Sequence, residues 1–203
     1  ETLDQAKDAA EAIEIEWEAL PAVTETRIAA DEGVAEVWPQ SPRNVCFMFD
    51  AGNRDAVEQA LASARHKISV AYPINRITAV TMEPRTALGG YDPVTESYTL
   101  HCGLQNPHAV RESLAEDIFR ISGNRVRVVS PDVGGGFGSK EAAFPEYVLT
   151  LVGAKLTGRT VLWAADRGES FLSDFHARDV YSTTTLGLDE QGNFLALKVE
   201  TTA

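Results

Sequence analysis

The chain has 203 residues and a formal net charge of -12, from 18 Lys and Arg against 30 Asp and Glu. That balance argues against a nucleic-acid or anionic-membrane partner, because either would be repelled over much of the surface. The length suits one or two domains, no run of about 18 apolar residues suggests a membrane span, and two cysteines, Cys46 and Cys102, cannot supply an iron–sulfur ligand set. A soluble protein of a reducing, cytoplasmic compartment is expected.

Leu3, Ala6, Ala9, Ala10 and Ile13 recur at helical spacing behind Thr2, an N-cap type, and Ile13, Ile15 and Trp17 then alternate with Glu14, Glu16 and Glu18. This predicts a helix running into a half-buried strand whose carboxylates face solvent. Between residues 21 and 44, Pro21, Gly33, Pro39 and Pro42 indicate a surface crossing, with a domain boundary near Trp38. A strand is expected over 45–49, with Cys46 as a small buried hydrophobe. A helix over 55–64 should turn Ala56, Val57, Ala60 and Leu61 inward, before a strand over 67–72.

Residues 86–91 and 96–104 read as a hairpin around Asp92-Pro93, whose second strand delivers Gln105-Asn106-Pro107-His108 to its end. Pro107 pre-sets a helix with Val110, Leu114, Ile118 and Phe119 inward, ending near Ser122-Gly123-Asn124. A β-branched strand over 126–129 leads into Gly134-Gly135-Gly136-Phe137-Gly138-Ser139-Lys140-Glu141. The helix after it should bury Tyr147, Val148, Leu151, Val152 and Leu156 and stop near Gly158. A strand over 160–164, a helical turn over 170–175 and a hairpin over 178–188 and 193–200 complete the pattern. Because strand pairs and helices mix without strict alternation, the fold class is α+β: a mixed sheet with helices packed on it. The chain starts at Glu1 rather than Met and ends inside an alternating segment, which suggests a piece of a larger polypeptide.

Four glycines in five positions cost conformational entropy, so something must need the bare backbone. Consecutive exposed amides beside a helix can receive a polar or anionic ligand. The spacing fits neither a nucleoside-triphosphatase loop, since Lys140 is followed by Glu141, nor a dinucleotide fingerprint, since Ser139 occupies the third glycine position. Gln105 and the loop should lie at matching strand ends, where a Gln amide can meet a polar ligand or simply bond the loop backbone. Glu141 is expected in the first turn of the following helix, as a dipole-stabilised carboxylate or a plain cap. The four histidines have no metal-ligand spacing, and no nucleophile elbow is present.

The run from Asp132 to Glu141 resembles the cofactor loop of the molybdenum hydroxylases, the family of xanthine dehydrogenase, aldehyde oxidase and the large chain of aerobic carbon monoxide dehydrogenase. Met82-Glu83-Pro84-Arg85, Gln105-Asn106-Pro107-His108, the glycine loop and Trp163-Ala164-Ala165-Asp166-Arg167 fall in the family's order. The resemblance implies that residues 1–38 end a hammerhead-type α/β domain and that 39–203 form the first molybdenum-cofactor-binding subdomain. It implies that Gln105 donates to an oxo ligand of molybdenum, and that Gly134, Gly135, Gly136, Phe137 and Gly138 bring backbone to a molybdenum–molybdopterin group. Glu141 matches a substrate-binding glutamate of the xanthine-oxidising branch, so Gln105, Phe137 and Glu141 are the candidate catalytic positions. No protein-ligated metal is expected. The implied activity hydroxylates an aldehyde, N-heterocycle or similar carbon centre, or oxidises carbon monoxide, with water-derived oxygen. Iron–sulfur clusters and FAD are expected on other domains or subunits, and the general base beyond residue 203. The rival reading is a non-catalytic phosphate- or nucleotide-binding module built on the glycine loop.

Overall fold

A computed structural model describes residues 2–203. In chain order the elements are α1 (Leu3–Glu11), α2 (Arg54–Ser63), β1 (His66–Ile74), β2 (Ile77–Thr78), β3 (Thr86–Asp92), β4 (Ser97–His101), α3 (Pro107–Glu112), β5 (Val126–Val129), α4 (Pro145–Thr157), β6 (Val161–Ala164), α5 (Arg167–Ser173), β7 (His176–Ala177), β8 (Val180–Leu188) and β9 (Phe194–Thr202). They divide into two compact units: Ile74–Asp179 forms one, and the residues up to Pro73 with Val180–Ala203 form the other.

In the discontinuous unit, Thr2 caps α1 as its side chain suggests, with Thr2 Oγ1 accepting from Gln5 N and Gln5 Oε1 accepting from Thr2 N. Asn53 caps α2, which buries Leu61. The sheet order is β1-β8-β9, and Ser69 meets Thr185 across it at 2.9 Å. Asp189 closes the β8–β9 hairpin by accepting from the Gln191 and Asn193 N–H groups. Two expectations fail here. Residues 13–18 and 45–49 form no regular element and pair with no strand among the described residues, and Ile13, Ile15, Trp17, Phe47, Met48 and Phe49 are all exposed. Cys46 is exposed with them instead of buried. Alternation and β-branching favour a strand only where a neighbouring edge accepts its hydrogen bonds.

In the continuous unit the four-stranded sheet runs β5-β4-β3-β6. β3 is antiparallel to both β4 and β6, while β4 and β5 are parallel and joined through α3, so the sheet is mixed and the α+β class stands. α4 lies on β3 and inserts Tyr147, Thr150, Leu151 and Ala154. Gly89 allows this approach, since a Cβ there would come within 2.6 Å of the Thr150 carbonyl carbon. Leu100, Val110 and Leu114 lie in the same core. α3 passes into a π-helical turn over Ser113–Phe119, which ends at Arg120 in the left-handed region. The wider turn shifts side-chain phase, and Ile118, expected inward, is exposed. Leu156 is also exposed at the end of α4, where Gly158 supplies the left-handed C-cap.

Candidate functional site

Parallel pairing sets the site. Leu100 lies opposite Val128 and His101 opposite Val129, so β4 and β5 end at the same edge of the sheet and their trailing segments leave side by side. Ser130 clips them together: its hydroxyl accepts from Leu104 N at 3.1 Å and donates to Leu104 O at 2.9 Å. Next, Gln105 N donates to Lys140 O at 2.9 Å. The Gln105 side chain folds onto the loop, where its Oε1 accepts from Gly138 N at 2.9 Å and Lys140 N at 3.3 Å. Two backbone donors therefore fix the amide orientation. Nε2 is turned the other way and faces Glu141 Oε1 at 3.5 Å, the long limit of a hydrogen bond. Of the two sequence readings of Gln105, the structure shows the bond to the loop backbone.

The glycines have different jobs. At Gly136 a Cβ would fall 2.4 Å from Gln105 Cδ and Oε1, so only a bare backbone lets the amide settle there. Ser139 closes the turn, with its N and Oγ both donating to Gly136 O at 2.9 and 2.8 Å. Phe137 is 80% exposed at φ 51°, a left-handed conformation that costs a non-glycine residue on the order of 1–2 kcal/mol. Its ring lies over Gly135, where a Cβ would be 3.0 Å from Phe137 Cε2. The N–H groups of Gly135, Gly136 and Phe137 donate to no acceptor among the described residues.

Behind the loop stand charges to which the sequence reading gave no role. Lys140 is 1% exposed, and its Nζ donates to Glu83 O at 2.8 Å and Glu83 Oε2 at 3.1 Å. It points into the protein and is unavailable to a phosphate on the exposed side of the loop, which removes the cation the nucleotide-binding reading would need. Arg85 is fully buried. Its Nε meets Asp174 Oδ1 at 2.7 Å, its Nη1 meets Glu146 Oε2 at 2.9 Å, its Nη2 meets Ser173 Oγ at 2.9 Å, and the guanidinium lies 3.8 Å from the Phe144 ring centroid. The sequence signal was the pair Glu83-Pro84-Arg85 itself: charges within a segment that the surrounding pattern buries need opposite partners.

Glu141 departs from expectation. It is exposed and precedes α4, because Pro145 sets the first turn and Phe144 occupies the N-cap position. The first-turn carboxylate is Glu146. Burial would push Glu146 up, but its hydrogen bond and attraction to Arg85 outweigh this and leave it below the usual carboxylate range. The Gly134 N–H, reinforced by Lys140, likewise holds Glu83 down. Burial pushes the Cys102 thiol up to about 12, so it is an inert core group. Carboxylates with depressed folded-state pKa values stabilise the fold fully above their unfolded value, roughly 4.3, and lose that contribution as pH falls through the folded value. Unfolding midpoints measured from pH 7 downward should stay flat to about pH 5 and fall below it. A midpoint that rises on acidification would contradict these pairings.

The loop therefore combines amides that donate to no acceptor among the described residues with a side-chain amide fixed beside it. Residues 37–203 match the family model of the molybdopterin cofactor-binding domain, and the chain belongs to that family. It is 30% identical over 98% of its length to the carbon monoxide dehydrogenase large chain of Hydrogenophaga pseudoflava. It is 32% identical over 96% of its length to the 6-hydroxypseudooxynicotine dehydrogenase complex subunit gamma of Paenarthrobacter nicotinovorans. Among solved structures, quinoline 2-oxidoreductase from Pseudomonas putida 86 superposes with a TM-score of 0.85 at 33% identity, covering 98% of this chain and 25% of that one. A Cu,Mo-CO dehydrogenase superposes with a TM-score of 0.89 at 25% identity, covering 98% of this chain and 26% of that one. The chain spans about a quarter of the length of these relatives: 26% of the first and 24% of the second. No described helix is long and apolar enough to cross a membrane.

Proposed function

We propose that the chain is part of the molybdenum-binding catalytic chain of an oxidoreductase that hydroxylates an aldehyde, an N-heterocycle or a similar carbon centre, or oxidises carbon monoxide. The observation that carries this is the Gln105 clasp: an amide whose oxygen accepts from Gly138 and Lys140 and whose nitrogen, held only by a long 3.5 Å contact to Glu141, is turned away from the loop backbone. The site fits a molybdenum–molybdopterin group. Gly135 and Phe137 offer unspent amides, Gly134, the buried Gly136 and Gly138 shape the loop, and Gln105 Nε2 offers a side-chain donor. Such a group supplies two-electron redox chemistry with water-derived oxygen, and the protein's part is orientation and electrostatics. In this reading Glu141 stands ready to accept a hydrogen bond from a substrate on the exposed side of the Gln105 amide.

The remaining assignments rest on family membership. Residues 1–38 would close a hammerhead-type domain and 39–203 would form the first cofactor-binding subdomain. Iron–sulfur and flavin domains or subunits would take the electrons, and the complex would work in the cytoplasm on a small-molecule substrate. The test is molybdenum content and oxidation of aldehydes, heterocycles and carbon monoxide by the full-length protein made under cofactor-replete conditions. About one molybdenum per chain is expected, and Gln105→Leu should cut turnover roughly a hundredfold, the scale seen when one preorganised donor is removed. A cofactor-free, inactive wild type would defeat the proposal.

A further inference from the structure

One residue outside the glycine loop holds both of its ends. Glu83 N donates to Gly134 O at 3.2 Å, and Gly134 N donates back to Glu83 Oε2 at 2.8 Å. At the other end, Lys140 Nζ bonds both the Glu83 carbonyl and that same Oε2. Lys140 is also the residue whose backbone grips Gln105, its N donating to Oε1 and its O accepting from Gln105 N. Glu83, Gly134, Lys140 and Gln105 are thus one connected network.

The space for Glu83 is built in. A Cβ on Gly103 would lie 2.8 Å from Glu83 Oε2, and one on Gly134 would lie 2.4 Å from Glu83 Cβ, so two glycines from separate segments open the slot. The Glu83 backbone is tied down as well. Thr81 Oγ1 donates to Glu83 O at 2.6 Å, while Arg167 Nη2 donates to Thr81 O at 2.8 Å and to Met82 O at 3.1 Å. A solvated surface pair would show neither the matched slot nor a lysine with 1% exposure.

We propose that Glu83 and Lys140 are positioning residues: their ion pair closes the glycine loop into a ring and so presets the Gln105 amide and the loop amides before any ligand arrives. The loop is then a preformed cradle and not one that the cofactor folds around itself. The purpose assigned to the ring rests on the cofactor reading above, but the ring itself can be tested without cofactor.

The experiment is amide hydrogen exchange on the full-length protein prepared without molybdenum, comparing wild type with Glu83→Gln, Lys140→Met and the double variant. Glu83→Gln keeps an acceptor for Gly134 but removes the charge, and Lys140→Met keeps the side chain's bulk. Each single variant should speed exchange of the peptide covering 132–141 by about tenfold or more, while the peptide covering α4 stays within about twofold. The double variant should exchange no faster than the faster single variant, because the pair acts as one unit. In cofactor-loaded protein, kcat normalised to bound molybdenum should fall with KM within about twofold, since the pair orients the amide without touching substrate. Unchanged exchange at 132–141, equal acceleration across the whole protein, or multiplying effects in the double variant would overturn the proposal. A wild type that never binds molybdenum would sink the cofactor reading while leaving the exchange result decisive for the ring.

Discussion

Gly136→Ala is expected to cost the full-length protein most of its bound molybdenum while leaving the fold intact. The added Cβ would sit 2.4 Å from Gln105 Cδ and Oε1, inside any tolerable contact, so either the loop or the amide must leave its place. Overpacking of this kind costs about 1–3 kcal/mol, which is roughly a 5- to 150-fold loss in an equilibrium constant. The disturbed bonds, Gly138 N and Lys140 N to Gln105 Oε1, are the ones that fix the amide's direction. Gly123→Ala provides the control, because a Cβ at that position meets nothing within 4 Å. Metal analysis of purified protein decides the matter: equal molybdenum in the Gly136 and Gly123 variants would show that the clasp is irrelevant to retention.

The second large effect is on stability. Arg85→Met should leave the carboxylates of Asp174 and Glu146 without their shared cation, with Asp174 almost as buried as the arginine was. Breaking one side of a buried ion pair costs about 3–5 kcal/mol, and at about 2–4 °C per kcal/mol for a domain of this size the midpoint should fall by roughly 6–20 °C. Arg85→Lys should lie between, keeping the charge but not the fork that reaches Asp174, Glu146 and Ser173 at once. The loss should shrink at low pH, where Glu146, held below the usual carboxylate range by Arg85, takes up a proton and no longer needs the cation. A melting curve unchanged by Arg85→Met would refute the assignment.

Much of the site was legible because its signals are local. A strand ending at Gln105, a strand ending at the glycine run and a helix between them follow from periodicity and turn chemistry, and the parallel β4–β5 pair then brings the two ends together. Glu141 was misplaced because the helix start was read from hydrophobic spacing, whereas Pro145 governs it four residues later. Glu83, Lys140 and Arg85 escaped assignment for a different reason. Their partners, Gly134, Glu83 itself, Glu146 and Asp174, lie tens of residues away, and no periodicity announces a contact made through tertiary structure. The strands expected at 13–18 and 45–49 show the converse: a strand pattern states a preference, and a neighbouring edge must exist to satisfy it.

That one unit is interrupted in sequence by the other has a consequence for biosynthesis. During synthesis β1 leaves the ribosome long before β8, the strand beside it in the sheet, because the whole of Ile74–Asp179 is translated in between. The inner unit draws only on contiguous sequence and can mature while β1 waits with an open edge, the arrangement most prone to stray pairing between nascent chains. Slow elongation after Asp179 would prolong that exposure, so the yield of folded protein should depend on how fast β8 and β9 arrive.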